Sequence, residues 1–135
     1  MTISIIRDQS GAMRHHVHIG RHVIAVDEPQ ANGGDDSGPN PHDLYDAALG
    51  ACKALTMLWY ARRKGIPVED IGVDVIRDDS EERRGAESIY RLDVKLSLGG
   101  NLSDAQRQEL LNVAGKCPVH KLMTAVKTEV TTSLA

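Results

Sequence analysis

The stretch NPHDLYDAALGACKALTMLWYARRKG, residues 40–65, decides the fold because its pattern is that of one long helix. Asn40 is a good N-cap, Pro41 suits the first helical position, and Gly65 is typical of the residue just beyond a helix end. Apolar residues recur at helical spacing, and the first half is apolar on nearly every side. Such a helix is usually buried at the centre of its own domain or against a partner chain.

The segments on both sides of this helix predict strands and two further helices. Strands are expected over 2–7, 13–19, 23–26, 71–76, 90–98 and 126–134, where β-forming residues cluster or apolar and polar residues alternate. Gly20-Arg21 suits a two-residue hairpin turn. Ser103 and Gln106 form a capping box that opens one helix, and Cys117-Pro118 starts a short one. This order of elements predicts the α+β class.

Length and charge narrow the class of protein. A chain of 135 residues is expected to form one domain, 1–135. The net charge of −3 and the scarcity of aromatic residues argue against a nucleic-acid partner. No apolar run is long enough to span a membrane, and the first residues lack a signal-peptide pattern. We therefore expect a cytoplasmic protein that binds neither membrane nor nucleic acid, and any pairing of its two cysteines there should be transient.

The segment GKCPVHK, residues 115–121, contains one of the two cysteines. With Pro118 at the first helical position, Cys117 would be the N-cap, where free backbone N–H groups favour a thiolate. His120 lies one turn further on and is expected to reach back toward the sulfur. The alternative is a small buried cysteine at a helix start; the capping position and the neighbouring lysines favour a reactive thiol.

Cys52 lies inside the long helix and on its own is best interpreted as core filler, since free cysteine is among the most buried residue types. A metal site needs three or four ligands. His16 and His18 share a strand face, but His22 should sit opposite Ile19 on the other face. Cys52, Cys117 and His120 would bind zinc only if the fold brought them together, and no CxxC pair is present. Metal binding is therefore the less favoured interpretation.

Two blocks of sequence together resemble the OsmC/Ohr family, the osmotically inducible and organic hydroperoxide resistance proteins. They are DEPQANGGDDSGPNPHDLYDAALGACKALTMLWYARRKG, residues 27–65, and GKCPVHKLM, residues 115–123. The similarity runs from about Met13 to the C-terminus and is greatest to the broad OsmC-like branch. The resemblance implies antiparallel sheets around a long central helix in an intertwined homodimer, with an active site at each end of the interface.

The resemblance also implies roles for the two cysteines. In the family's peroxidases the helix cysteine attacks the hydroperoxide and the later cysteine resolves it, so Cys52 would be peroxidatic and Cys117 resolving. The local residues alone favour Cys117 as the attacking thiol. The implied enzyme is a thiol-dependent peroxidase that reduces organic hydroperoxides through a Cys52–Cys117 disulfide, which a cellular dithiol then reduces. No cofactor or metal is expected.

This chain departs from the peroxidase pattern beside the start of the helix. Peroxidase members carry a Glu directly after the second Pro of the block, paired with an Arg that activates the thiolate. Here that position is His42, and we expect His42 to stabilise the thiolate together with Arg14 or Arg21. Two other hypotheses stay open: a non-catalytic dimer that binds an apolar ligand or senses redox state, and a structural dimer with inert thiols.

Overall fold

A computed structural model describes residues 1–135, and contacts between Cα atoms divide them into two compact units, Met1–Tyr45 and Asp46–Ala135. The first unit contains a three-stranded antiparallel sheet of β1 (Ile3–Arg7), β2 (His15–Ile19) and β3 (His22–Val26) in that order. The predicted hairpin turn at Gly20-Arg21 is confirmed: Ile19 pairs with His22 and Gly20 has a φ of 58°. Only glycine adopts that conformation at little cost.

Beyond β3, the loop of the first unit is organised around the buried carboxylate of Asp27. It accepts hydrogen bonds from the backbone N–H groups of Glu28, Asp35 and Ser37 and from the Ser37 hydroxyl. These donors, with the Ser37 hydroxyl first, lower the pKa of Asp27 from its usual 3.8 to about 2. A long loop rich in glycine and aspartate thus keeps one defined course, with a short 3₁₀ turn at Gln30–Asn32.

The long helix, α1, spans Pro41–Lys64, and its predicted ends are confirmed. The backbone N–H of Asp43 donates to the Asn40 side chain at 2.9 Å, and the Asn40 N–H donates to the Asp43 carboxylate at 3.0 Å. This reciprocal pair satisfies two of the N–H groups that a helix start leaves free. At the other end Gly65 takes the left-handed conformation, with a φ of 68°.

The second unit packs helices against a two-stranded antiparallel sheet. Its elements are β4 (Val68–Asp78), β5 (Arg91–Gly100), α2 (Asp104–Ala114) and α3 (Pro118–Thr124), together with α1 from Asp46 onward. The capping box at Ser103 and Gln106 is confirmed, as is Cys117 as the N-cap of α3. The core is aliphatic, and its buried members come from α1, α2 and the turn after α1: Met57, Ala61, Ile66, Leu110 and Ala114. The predicted α+β class with antiparallel sheets is therefore confirmed.

One sequence-based expectation differs from the structure. Residues 126–134 form no strand, because the chain after α3 has no regular hydrogen-bonded partner. Within the single chain α1 buries one stripe, and the burial of its other side by a partner chain stays a prediction. The buried residues of that stripe are Asp46, Leu49, Gly50, Lys53, Met57 and Ala61. Leu55 and Trp59, on the opposite side, remain 68% and 58% exposed. None of the helices is long and apolar enough to cross a membrane.

Candidate functional site

Helix α1 and the start of α3 bring the two cysteines of the second unit together. Cys52 lies midway along α1 and is partly buried, while Cys117, the N-cap of α3, is fully buried. Both are free thiols. The Cys52 thiol, whose Sγ lies 4.0 Å from the Thr56 hydroxyl oxygen, is also near enough to raise the pKa of the Cys117 thiol. Two cysteines far apart in the sequence thus lie within interaction range of each other, and we call them the dithiol pair.

The pKa of the Cys117 thiol is raised, and burial is the largest cause. The neighbouring Cys52 raises it further. Two groups act in the opposite direction: the backbone N–H of His120, which donates to the Cys117 sulfur at 3.4 Å, and the positive charge of Lys53. The buried member of the pair is therefore held largely as a thiol. His120 does reach the sulfur, as expected, but with its backbone N–H.

The ring of His120 contacts Lys53 instead. Lys53 follows Cys52 on α1 and is 5% exposed. Its Nζ donates to the carbonyl of Ala114, the last residue of α2, at 2.8 Å and lies 2.9 Å from His120 Nδ1. A cation suits the C-terminal end of a helix, where backbone carbonyls are unpaired. Lys53 was not among the residues predicted from the sequence, although a lysine that interrupts the apolar run beside a cysteine is a detectable signal.

A second buried polar cluster lies toward the N-terminal end of the same α1 stripe. Asp46 accepts from Arg77 Nε of β4 at 2.6 Å and from the Tyr90 hydroxyl at 2.7 Å. Burial, together with the hydrogen bond to Asp46, raises the pKa of Tyr90 to about 12. Asp46 and Lys53 are seven residues apart on a helix, or about 10 Å along its axis. The cluster therefore ties α1 to the sheet and is separate from the dithiol pair.

The other two predicted site residues belong to the first unit. Arg14 forms an ion pair with Asp8, at 3.1 Å between Nε and Oδ2, and His16 also contacts that carboxylate at 3.0 Å. His42 lies in the first turn of α1, ten residues before Cys52 in the sequence. Neither side chain is part of the pair formed by Cys52 and Cys117 within the second unit, and their assigned roles stay predictions. No three metal-ligating side chains converge anywhere in the described residues, 1–135.

The family of this chain follows from a comparison with models of known protein families. The model described as "OsmC-like protein" matches residues 34–133. The chain belongs to the OsmC family. The match includes α1 with Cys52, the β4–β5 hairpin, and α3 with Cys117. No protein with a curated description matches the sequence.

Solved structures share the fold of this OsmC-family chain at low sequence identity. An OsmC-like protein from Mycoplasma pneumoniae is 18% identical with a TM-score of 0.76, covering 93% of this chain and 87% of its own. The organic hydroperoxide resistance protein OhrB of Bacillus subtilis is 22% identical with a TM-score of 0.60, and the match covers 93% of this chain and 92% of OhrB. An organic hydroperoxide resistance protein OsmC from Legionella pneumophila is 20% identical with a TM-score of 0.61, and the match covers 93% of this chain and 90% of the Legionella chain. At these identities the likeness establishes the fold.

Proposed function

We propose that this OsmC-family protein is a thiol-dependent peroxidase that reduces organic hydroperoxides through a Cys52–Cys117 disulfide. The observation that carries the proposal is that both cysteines are free thiols and that Cys52, on α1, is near enough to act on the ionisation of Cys117, the N-cap of α3. A free thiol near enough to act on the ionisation of another is suitably placed for redox chemistry with it. The names of the similar structures, two of which are organic hydroperoxide resistance proteins, support the same substrate class.

The different burial of the two cysteines supports the order of the reaction. A hydroperoxide must reach the attacking sulfur, and Cys52 is partly accessible whereas Cys117 is fully buried. The raised pKa of Cys117 keeps its thiol protonated until Cys52 has been oxidised to the sulfenic acid with which it reacts. Both features favour Cys52 as the peroxidatic cysteine and Cys117 as the resolving cysteine. The helix-capping argument from sequence, which favoured Cys117 as the attacking residue, did not include burial.

In the proposed reaction the Cys52 thiolate attacks the distal oxygen of the hydroperoxide. The O–O bond breaks, the alkoxide takes up a proton and leaves as an alcohol, and Cys52 becomes a sulfenic acid. The Cys117 sulfur then attacks the Cys52 sulfur: an S–S bond forms, the S–O bond breaks, and water leaves with the proton that Cys117 gives up. A dithiol of the cytoplasm returns the disulfide to two thiols. None of these steps requires a metal or a cofactor.

We also propose that the active protein is a homodimer in which α1 becomes the central helix. The support is the apolar side of α1 that the single chain leaves open. Leu55, Leu58 and Trp59 line a groove of about 480 Å³ together with Arg62 and Arg63. Large apolar side chains clustered on one exposed surface are typical of an interaction site. A second copy of the chain would bury this surface, as the resemblance to the family implies, and would place an apolar wall near substrate.

The experiment that tests the roles uses fully reduced wild type, Cys52→Ser and Cys117→Ser, each mixed with one equivalent of cumene hydroperoxide. Intact mass and dimedone labelling report sulfenic acid. Wild type should lose two thiols per chain. Cys117→Ser should trap a sulfenic acid on Cys52, and Cys52→Ser should react at least tenfold more slowly, since its remaining thiol is buried and protonated. Equal reactivity of the two variants would contradict the assigned roles.

A further inference from the structure

Lys53 is a buried cation that no carboxylate neutralises. Its ammonium has two hydrogen-bond partners, the Ala114 carbonyl and His120 Nδ1, and both are formally neutral. Removing a charge from water costs several kcal/mol unless it is paired and hydrogen-bonded. A lysine whose only purpose was to fill the space would be replaced by an apolar residue at little cost. The position of this ammonium therefore calls for an anion that forms only during a reaction.

The groups at this site that can become anionic are the two thiols. Cys52 is the neighbour of Lys53 on α1, and Cys117 lies at the start of the helix that also carries His120. The positive charge of Lys53 already favours the thiolate of Cys117, against the effect of burial. Because charges interact more strongly when both are removed from water, the effect on a buried sulfur is larger than that of a surface lysine.

We propose that Lys53 is the residue that stabilises the Cys117 thiolate while it attacks the oxidised Cys52. This inference rests on the proposed two-cysteine reaction and assigns a residue of this chain to its second step. The S–S bond forms and the S–O bond breaks as before; Lys53 forms no covalent bond and keeps its proton. Its role is to let Cys117 give up a proton inside a buried site, so that the proton leaves with the hydroxide as water.

His120 completes the arrangement by fixing the ammonium. With Lys53 charged, Nδ1 of His120 accepts the hydrogen bond, so the imidazole is neutral and carries its hydrogen on Nε2. The Lys53–His120 pair then holds a single positive charge. The titratable groups that interact at this site are Cys52 and Lys53 of α1, Cys117 at the N-cap of α3 and His120 of α3, while α2 contributes the backbone carbonyl of Ala114.

The first test is a thiolate titration that needs no peroxide. In the Cys52→Ser background Cys117 is the remaining thiol, and its ionisation is followed at 240 nm against the variant that lacks both cysteines. Lys53→Gln keeps a donor for the Ala114 carbonyl but removes the charge. We expect the titration to move to higher pH, with a thiolate fraction about tenfold lower at pH 8. Lys53→Arg, which keeps the charge, should return the titration of Cys117 toward that of the Cys52→Ser protein with Lys53 in place.

The control is Lys116→Gln, which removes an exposed lysine next to Cys117 in the sequence and should leave the titration unchanged. If Lys53 only caps α2, the Lys53→Gln substitution should change the melting temperature but leave the titration of Cys117 unchanged. That result would overturn the proposal. If Lys53→Gln does not fold, as judged by circular dichroism, the apolar Lys53→Met provides the same comparison.

The second test measures disulfide closure itself. After one equivalent of cumene hydroperoxide, the conversion of Cys52 sulfenic acid to the disulfide should be about tenfold slower in Lys53→Gln than in wild type at pH 7, with the formation of sulfenic acid less affected. An unchanged closure rate would contradict the proposal. If wild type forms no disulfide at all, the proposed peroxidase function fails, whereas the titration still decides whether Lys53 stabilises the Cys117 thiolate.

Discussion

Three charged side chains are buried in this chain, and each is held in a different way. Asp27 accepts four hydrogen bonds within its own loop. Asp46 is neutralised by Arg77 and also accepts from Tyr90. Lys53 alone is held by neutral groups. A buried charge is costly unless its surroundings satisfy it. The first two therefore have a structural explanation that is complete, and the third points to chemistry at the cysteines.

The carboxylate of Asp27 predicts a pH dependence of the free energy of unfolding. Its pKa in the folded protein is about 2, below the usual 3.8, so its stabilisation is present above about pH 4 and is lost as the pH falls toward 2. Asp27→Asn should lower the urea midpoint at pH 7. It should also make the free energy of unfolding fall less between pH 4 and pH 2 than it does in wild type. Urea unfolding at several pH values measures both.

A matched variant separates the carboxylate from its donors. Ser37→Ala removes the hydroxyl that contributes most to the low pKa but leaves the three backbone donors. Its urea midpoint at pH 7 should fall between those of wild type and Asp27→Asn. If Asp27→Asn had the midpoint of wild type at pH 7, the loop would not depend on this carboxylate.

At the scale of elements, the helices were predictable because their ends are decided by adjacent residues. The start of α1 is defined by Asn40 and Asp43, and its end by Gly65. The start of α2 is defined by Ser103 and Gln106. All of these residues lie within a few positions of the helix end that they define. The strand expected at 126–134 was wrong, because a strand exists only when another edge pairs with it, and local alternation carries no information about that edge.

The packing of α1 on β4 depends on a glycine. A Cβ atom at Gly50 would lie 2.9 Å from Cγ2 of Val75, and β-branched side chains have little freedom to move aside. Gly50→Ala gains about 1 kcal/mol of helix propensity, whereas overpacking costs roughly 1–3 kcal/mol. We expect a net destabilisation of about 1 kcal/mol, measured by urea unfolding.

Val75→Ala, made alone and together with Gly50→Ala, is the control for this contact. It removes the methyl group that the new Cβ would contact. In a double-mutant cycle Gly50→Ala should then be neutral or stabilising, since only the gain in helix propensity remains. A Gly50→Ala protein that is more stable than wild type would show that α1 does not pack this closely on the sheet.

At the scale of the whole molecule, the resemblance to a family supplied what the local residues did not. Composition and periodicity indicated an α+β chain, but they left Cys52 as core filler. The OsmC family model now accounts for residues 34–133. Lys53 was missed because its partners, Ala114 and His120, lie 61 and 67 residues away in the sequence. Which side chains meet across such separations is decided by packing.

The proposed homodimer predicts the effect of charges on the open side of α1. Leu55→Glu or Trp59→Glu places a carboxylate in the surface that a second copy would bury, at positions 68% and 58% exposed in the single chain. Burying an unpaired carboxylate there is strongly unfavourable, so we expect each variant to have the mass of one 14.7 kDa chain by light scattering, and wild type the mass of two. Gln108→Glu, on the exposed side of α2, should stay dimeric. A monomeric wild type would contradict this prediction.

The measurement that tests the central claim most directly is the rate of Cys52–Cys117 disulfide formation in reduced wild type. Cumene hydroperoxide and hydrogen peroxide are mixed with the protein in separate stopped-flow experiments, and peptide mapping identifies the product. We predict one intramolecular disulfide per hydroperoxide consumed, formed at least tenfold faster with cumene hydroperoxide, because the proposed dimer would set the apolar groove of Leu55, Leu58 and Trp59 beside the substrate. Slow loss of thiols, without a Cys52–Cys117 disulfide and without preference for either peroxide, would contradict the account.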